Sequence, residues 1–236
     1  MQAAPIDECE SEQLQLSVLT ADDVTDRYVG WLNDPLVNRF LECRHVRQTL
    51  DSVRSYVLSN EAAPNMALLG IRTLADNTHI GNVRIVVNAD HRLGEIGVLI
   101  GDRRAWGRGF GPRAIRLATR MAFQQFDLRK FSAGVYGTNQ SSIRAFEKAG
   151  FRVECRRQNH LLLGERADDL VRMALYAPTS RFSVPRGLFG GRPVDTEIEW
   201  RRSLHTASVL ARHVHRLRAR RQRDGSCVTS PAVSCE

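Results

Sequence analysis

Glycine occupies every second position of Trp106-Gly107-Arg108-Gly109-Phe110-Gly111-Pro112, and this run joins an apolar strand-like segment, Glu95 to Ile100, to a segment with helical apolar spacing. Few folds tolerate such a junction. Glycines between a strand and a helix let the backbone approach a bulky anion without interference from Cβ and turn several N–H groups toward it. The following helix adds its partial positive N-terminus. The run therefore predicts a pyrophosphate cradle over Gly107–Gly111. Two other phosphate motifs fail on spacing. A Walker loop needs Gly-Lys-Ser/Thr, whereas Gly111 is followed by Pro112-Arg113. A dinucleotide fingerprint needs a third glycine three residues after the second and an acid at the end of the next strand, and neither is present. Pro112 suits the first turn of a helix, where its missing N–H costs nothing.

The flanking sequence sets the fold class. Leu14 to Leu19 alternates as a half-buried strand, and Thr20-Ala21-Asp22-Asp23 has the composition of a helix start with acids in its first turn. A helical region through Tyr28, Trp31 and Leu32 should stop near Asn33-Asp34-Pro35, because proline disfavours helix at the residue before it. Thr49 to Leu58 places Leu50, Val53, Val57 and Leu58 on one helical face. Strands are expected over Met66–Arg72, Ile80–Val87 and Glu95–Ile100, separated by Leu74-Ala75-Asp76-Asn77 and Asn88-Ala89-Asp90-His91, as in an antiparallel meander. Arg113 to Phe126 is apolar at 114, 115, 117, 118, 121, 122 and 126, an amphipathic helix. Phe131–Tyr136 reads as a strand, Asn139–Ala149 as a helix stopped by Gly150, and Leu170–Tyr176 as a last strand. The sum is a mixed α/β domain over 13–177, with a meander first and strand-helix units second.

Beyond Tyr176 the composition changes. Prolines and glycines mark a linker over 178–194, a basic amphipathic helix is expected over 195–223, and a disordered tail over 224–236. The chain carries a formal charge of +8, and from Pro178 onward 11 arginines stand against 5 acids. Basicity thus belongs to the tail and the body is nearly neutral. The run Arg216-Leu217-Arg218-Ala219-Arg220-Arg221-Gln222-Arg223 could neutralise phosphates, which would make the chain an RNA- or partner-binding module. It lacks interleaved aromatics, which argues against specific nucleic-acid binding. The acidic N-terminus is unlike a secretory signal, and no apolar run approaches the roughly 20 residues of a membrane span. These features predict a cytoplasmic protein whose scattered cysteines, Cys9, Cys43, Cys155, Cys227 and Cys235, are reduced thiols. His45, His79, His91 and His160 lack ligand or triad spacing, so no metal is expected.

Four blocks, Glu95-Ile96-Gly97-Val98-Leu99-Ile100-Gly101, Trp106 to Gly111, Asn139-Gln140-Ser141-Ser142 and Phe146-Glu147-Lys148-Ala149-Gly150-Phe151, occur in this order and together resemble the GNAT N-acetyltransferases. The resemblance implies a GNAT-like fold with splayed central strands, acetyl-CoA as co-substrate and a primary amine as acceptor. It implies that backbone groups of Leu99, Ile100 and Gly101 pair with the pantetheine and polarise the thioester, and that Gly107, Arg108, Gly109, Phe110 and Gly111 hold the pyrophosphate. Asn139 would bind the pantetheine arm, with Ser142 close by, and Gly97 would permit a bulge that opens the acyl slot.

For proton transfer, Glu95 matches the strand glutamate that is the base in lysine-acetylating members, acting directly or through water. The position where a tyrosine commonly protonates the thiolate is Phe146, and Tyr136 is the nearest replacement by sequence. The run Tyr28 to Glu42 resembles members that acetylate nucleotide-linked amino sugars, and the same general pattern occurs in ribosomal N-terminal and aminoglycoside acetyltransferases. Trp31 could stack on a ring while Asn33 and Arg39 bind hydroxyls or phosphate; packing of Trp31 against the sheet is the competing reading. The acceptor, the oligomeric state, with a homodimer among the options, and the use of the tail are left open by the sequence.

Overall fold

The computed structural model describes residues 13–177; the expected linker, basic helix and tail lie outside the described residues. Seven strands form one mixed sheet: β1 (Leu14–Val18), β2 (Met66–Thr73), β3 (His79–Asn88), β4 (Leu93–Ile100), β5 (Lys130–Tyr136), β6 (Arg152–Leu163) and β7 (Arg166–Tyr176). Their order is β1-β2-β3-β4-β5-β7-β6, antiparallel throughout except for the parallel pair β4 and β5. This is the mixed α/β architecture expected. Asn77 and Arg92, both at φ 54°, make the left-handed residues of the two meander turns.

The central strands are splayed. β4 and β5 pair only from Leu93 to Glu95 against Lys130 to Ser132, and beyond that point they diverge. The expected bulge at Gly97 is absent, because the β3–β4 register runs unbroken from Gly81 opposite Ile100 to Asn88 opposite Leu93. Gly97 instead leaves space: a Cβ added there meets nothing within 4 Å.

Helices cover both faces. On one, α1 (Asp26–Asn33), α2 (Pro35–Asn38) and α3 (Leu50–Ala62) bury Tyr28, Trp31, Leu32, Val37, Val53 and Val57 against Leu19 and Leu68. On the other, α4 (Phe110–Gln125) buries Ala114, Ile115, Ala118 and Ala122 and packs on β1, β3, β4 and α5 (Gln140–Lys148). Each large aliphatic side chain withdrawn from water here contributes about 1.5–3 kcal/mol.

Three local expectations change. Thr20 caps only a short 3-10 turn, Ala21–Asp23, while α1 starts on its own cap, Thr25, which accepts from the Tyr28 N–H at 3.3 Å. In α3, Leu58 is 51% exposed and Asn60 turns inward, donating to Tyr56 O at 2.8 Å. The 12-residue strand β6 was not expected at all. It is the sheet's edge, exposed at every residue from Arg152 to His160, so its sequence carries no apolar alternation. None of the described helices is long and apolar enough to cross a membrane.

Candidate active site

The glycine run leaves β4 through a 3-10 turn, Arg103–Ala105, which Asp102 caps by accepting from the Arg104 N–H at 3.0 Å. Gly107 and Gly109 then take φ values of 73° and 79°, a region that costs an L-residue roughly 1–2 kcal/mol. Gly109 is the N-cap of α4, so Phe110, Gly111 and Pro112 are its first three residues, and the helix begins before the expected Arg113. The first intrahelical bond runs from the Arg113 N–H to Gly109 O at 3.4 Å. The N–H groups of Phe110 and Gly111 therefore precede any intrahelical acceptor and, with the helix dipole, form an anion site.

This site opens into a cleft of about 1010 Å³ that runs along the diverging edges of β4 and β5. Gly107, Gly109, Phe110, Gly111, Leu99, Ile100, Asn139 and Ser142 all line it, whereas Arg108 and Gly101 do not. Arg108 lies with its guanidinium 5.0 Å from the Phe110 ring. Asn139 is the N-cap of α5: its Oδ1 accepts from the Ser142 N–H at 3.2 Å and the Ser141 hydroxyl at 2.9 Å, which leaves its NH2 end for a ligand. Phe146 stacks edge-on against Phe151 at 5.0 Å and forms an apolar part of the wall.

Backbone polarity along β4 differs from the expectation. The Gly101 N–H donates to Ile80 O at 2.9 Å, so it points toward β3 and away from the gap. Antiparallel pairing alternates, so Leu99 also faces β3, and the groups aimed into the gap are those of Ile96, Val98 and Ile100. The Ile100 carbonyl is already taken by the Trp106 indole N–H at 2.7 Å. Of the three residues that the resemblance implied, Ile100 faces the gap and Leu99 and Gly101 face β3, and Val98 is the central position on the open edge.

The opposite end of the cleft holds a cluster that sequence spacing does not reveal. Tyr136, only 7% exposed, donates its hydroxyl to Glu42 Oε1 at 2.7 Å across 94 residues of chain. Arg44 donates to the same phenolic oxygen at 3.0 Å and to the carbonyls of Leu41 and Leu162 at 2.8 and 2.9 Å. Glu42 and Arg44 lie on one 3-10 turn, Glu42–His45, and three residues beyond it the backbone of Gln48 pairs with both amide atoms of the Asn33 side chain. Burial pushes the Tyr136 hydroxyl above the ordinary tyrosine range, and the hydrogen bond to Glu42 adds to it. The same hydrogen bond holds the Glu42 carboxyl below the usual carboxylate range, helped by Arg44. At neutral pH the pair is a protonated phenol beside a carboxylate. Glu42 is the only acid that lines the cleft among the described residues.

The remaining expected site residues separate. Arg39 lines the cleft. Asn33 does not; its amide is spent on Val29 and Gln48. Trp31 is 8% exposed, with its indole against Gly101 and 5.1 Å from the His79 ring, so it has no face to offer a sugar and packs as the floor of the sheet. A Cβ on Gly101 would overlap that indole. Glu95 is exposed at the closed end of the gap, outside the cleft lining, and sits 3.4 Å from Arg172 Nη1. Arg172 also donates to Ser132 Oγ at 3.3 Å, which ties the three into a polar cluster where β4 and β5 still pair.

Comparison with known proteins agrees with this geometry. The sequence model of the acetyltransferase (GNAT) domain matches residues 13–152. A probable N-acetyltransferase, YjcK, of Bacillus subtilis is 34% identical over 87 residues, 36% of this chain and 48% of that protein, so the match spans about half of the relative. An N-acetyltransferase 9-like protein of Caenorhabditis briggsae is 23% identical over 131 residues, 52% of this chain and 66% of that protein. Among solved structures, spermidine N-acetyltransferase from Vibrio cholerae in complex with CoA and spermine superposes with a TM-score of 0.62 at 20% identity, covering 70% of this chain and 95% of that one. The microcin C7 self-immunity acetyltransferase MccE, in complex with acetyl-CoA and AMP, gives 0.62 at 14% identity over 70% and 93% of the two chains. With its family match over more than half its length, and with the sheet splayed beside a glycine cradle, the chain belongs to the GNAT acetyltransferase family.

Proposed function

We propose that the protein is an acetyl-CoA-dependent N-acetyltransferase acting on the primary amine of a small phosphate-bearing acceptor, for which a nucleotide-linked amino sugar is the best fit. The observation that carries this reading is that the cradle and the Glu42–Tyr136 pair open into one cleft. Acetyl-CoA supplies the activated acyl group when bound. The N–H groups of Gly107 to Gly111 would hold its pyrophosphate, the Asn139 NH2 its pantetheine arm, and the gap-facing backbone of Val98 its thioester oxygen.

Amine acetylation forms a C–N bond as the C–S bond breaks, so one proton must leave the amine and one must reach the departing thiolate. The acceptor reacts as its neutral amine: as the C–N bond forms, the Glu42 carboxylate takes the proton that the nitrogen sheds, and the Tyr136 hydroxyl, hydrogen-bonded to that carboxylate, gives its proton to the departing thiolate and regains one from Glu42. Glu95 serves as an outer, water-linked group, since its carboxylate is engaged by Arg172. Cleft charge favours an anionic acceptor. Among the described residues, Arg39, Arg84, Arg144 and Lys148 line the cleft against Glu42 alone, a poor environment for a polycation such as spermine or an aminoglycoside. Turnover of acetyl-CoA against a panel of nucleotide-linked amino sugars, polyamines, aminoglycosides and N-terminal peptides tests the reading. Selective turnover of the phosphate-bearing amines is expected, and preference for polyamines would overturn it.

A further inference from the structure

A second cavity, of about 600 Å³, lies behind the wall that Arg44 and Tyr136 make. Arg39 lines both cavities, and in the second it is joined by Arg44, His45 and Arg166. The charges there are unequal in their commitments. Arg44 is spent on Tyr136, Glu42 and two carbonyls, so it fixes the wall. Arg39, His45 and Arg166 make no ion pair with any carboxylate among the described residues, and all three are exposed. Among the described residues the cavity's one acid, Asp168, is buried, and its oxygens are occupied by the Thr138 N–H and hydroxyl and by the Asp169 N–H. The concavity therefore presents positive charge with its negative charge already satisfied.

The two arginines, Arg39 and Arg166, come from the end of α2 and the start of β7, a convergence that no structural role within the described residues requires. Like charges gathered in a concavity without counter-charges destabilise one another, and a bound anion removes that repulsion. We propose that this second cavity binds the phosphate or diphosphate of the acceptor, with Arg39 and Arg166 as its ligands and Arg39 joining it to the cleft where the amine reacts. The proposal rests on the acceptor-side reading of the main cleft and extends it: the acceptor lies across the Glu42–Tyr136–Arg44 wall, amine on one side and phosphate on the other. A cavity of this volume suits a nucleoside-phosphate group better than an extended acidic peptide.

The test is calorimetric titration of uridine diphosphate, which lacks the amine, into the full chain already saturated with CoA so that the glycine cradle is filled. Binding is expected. It should weaken at least tenfold in Arg166→Ala and in Arg39→Ala, recover in part in Arg166→Lys, and stay unchanged in the control Arg120→Ala on the exposed side of α4. Circular dichroism and CoA affinity of each variant show that it is folded. No binding to the CoA-loaded protein, or binding indifferent to both arginines, would sink the second site. The same holds if Arg166→Ala impaired turnover of an acidic peptide amine but not of the phosphate-bearing one. Failure of CoA itself to bind would instead overturn the acetyltransferase reading.

Discussion

The two ends of the cleft are built from different parts of the polypeptide. At the proposed cofactor end, the groups are mostly main-chain: the N–H groups of a glycine turn, the open edge of β4 and the first residues of α4 lie within a short stretch of sequence, joined by the Asn139 amide from further along. At the acceptor end, the groups are side chains, Glu42, Arg44 and Tyr136, brought together over more than 90 residues. A backbone site is disrupted by adding atoms, because a Cβ forces the chain out of the left-handed region. A side-chain site is disrupted by removing them. Substitutions should therefore divide into two classes with opposite kinetic signatures.

The largest effect is expected at Tyr136. Tyr136→Phe removes one oxygen and keeps the ring contact with Phe40 at 5.6 Å. Loss of a proton donor of this kind lowers kcat by about a hundredfold. Steady-state kinetics should show that loss with the KM for acetyl-CoA unchanged. Parallel loss of cofactor affinity would mean that the two ends are not separable. Next comes Gly109→Val. Its added side chain has room, since the nearest atom to a Cβ is Arg113 Cζ at 3.7 Å, but the φ of 79° is a strained conformation for a β-branched residue. CoA affinity measured by calorimetry should fall by about tenfold or more, the equivalent of roughly 1–2 kcal/mol. The turnover of whatever complex forms should be much less affected.

A third pair of substitutions decides between the two glutamates. Glu42→Gln keeps the shape and a hydrogen-bond acceptor for Tyr136 but loses the carboxylate that takes the amine's proton, and kcat/KM for the acceptor should fall about tenfold or more. Glu95→Gln, at an exposed carboxylate paired with Arg172, should change kcat/KM by less than about threefold, as solvent-exposed pairs contribute little. The reverse ranking would restore Glu95 as the base. The pH profile adds a constraint. Because Tyr136 is pushed up, its ionisation does not limit the rate up to about pH 10, and kcat/KM should keep rising as the acceptor amine loses its proton.

The same division explains what the sequence could disclose. The strand–turn–helix frame of the proposed cofactor end was legible because it lies in local order: a strand, alternating glycines, a proline in the first helical turn, and Asn139 ahead of a helix ending near Gly150. Even there, which β4 residues face the gap was not legible, since that depends on the hydrogen bond from Gly101 to Ile80 rather than on the apolar pattern. The acceptor end was mostly hidden. Tyr136 could be singled out from its strand face, but its partners on the turn Glu42–His45 carry no periodic signal. Trp31 and Asn33 looked like ligand residues because aromatic and amide side chains serve both packing and binding, and only burial separates the two uses. β6 was missed for the opposite reason: an edge strand exposed along most of its length has no buried face to impose alternation.

The smallest expected effect probes the joint where the two ends meet. His79 on β3 lies under Trp31 and Tyr28, at 5.1 and 5.7 Å between ring centroids, and its Nε2 is 2.9 Å from Gly81 O and 2.8 Å from Asn82 Oδ1. An oxygen on each side requires that Nε2 carry the proton, and burial pushes the ring's pKa below the ordinary histidine value. Here the folded state prefers the neutral ring while the unfolded chain takes up a proton near pH 6.5. The stability that His79 contributes is therefore present above that pH, declines as pH falls through it, and stops declining only below the folded-state pKa. Thermal melts from pH 8 to 5 should show a Tm that drops by a few degrees below pH 6.5, a slope that His79→Gln flattens. Asp23 and Glu42, whose carboxyls are held low, lose their contributions only at more acidic pH and, among the shifted groups of the described residues, leave this window to His79. If acetyl-CoA affinity and acceptor KM moved together across the same window, Trp31 on its Gly101 seat would be transmitting the change to both ends at once. A change in Tm alone would leave the joint as scaffold, with the backbone half and the side-chain half of the cleft acting independently.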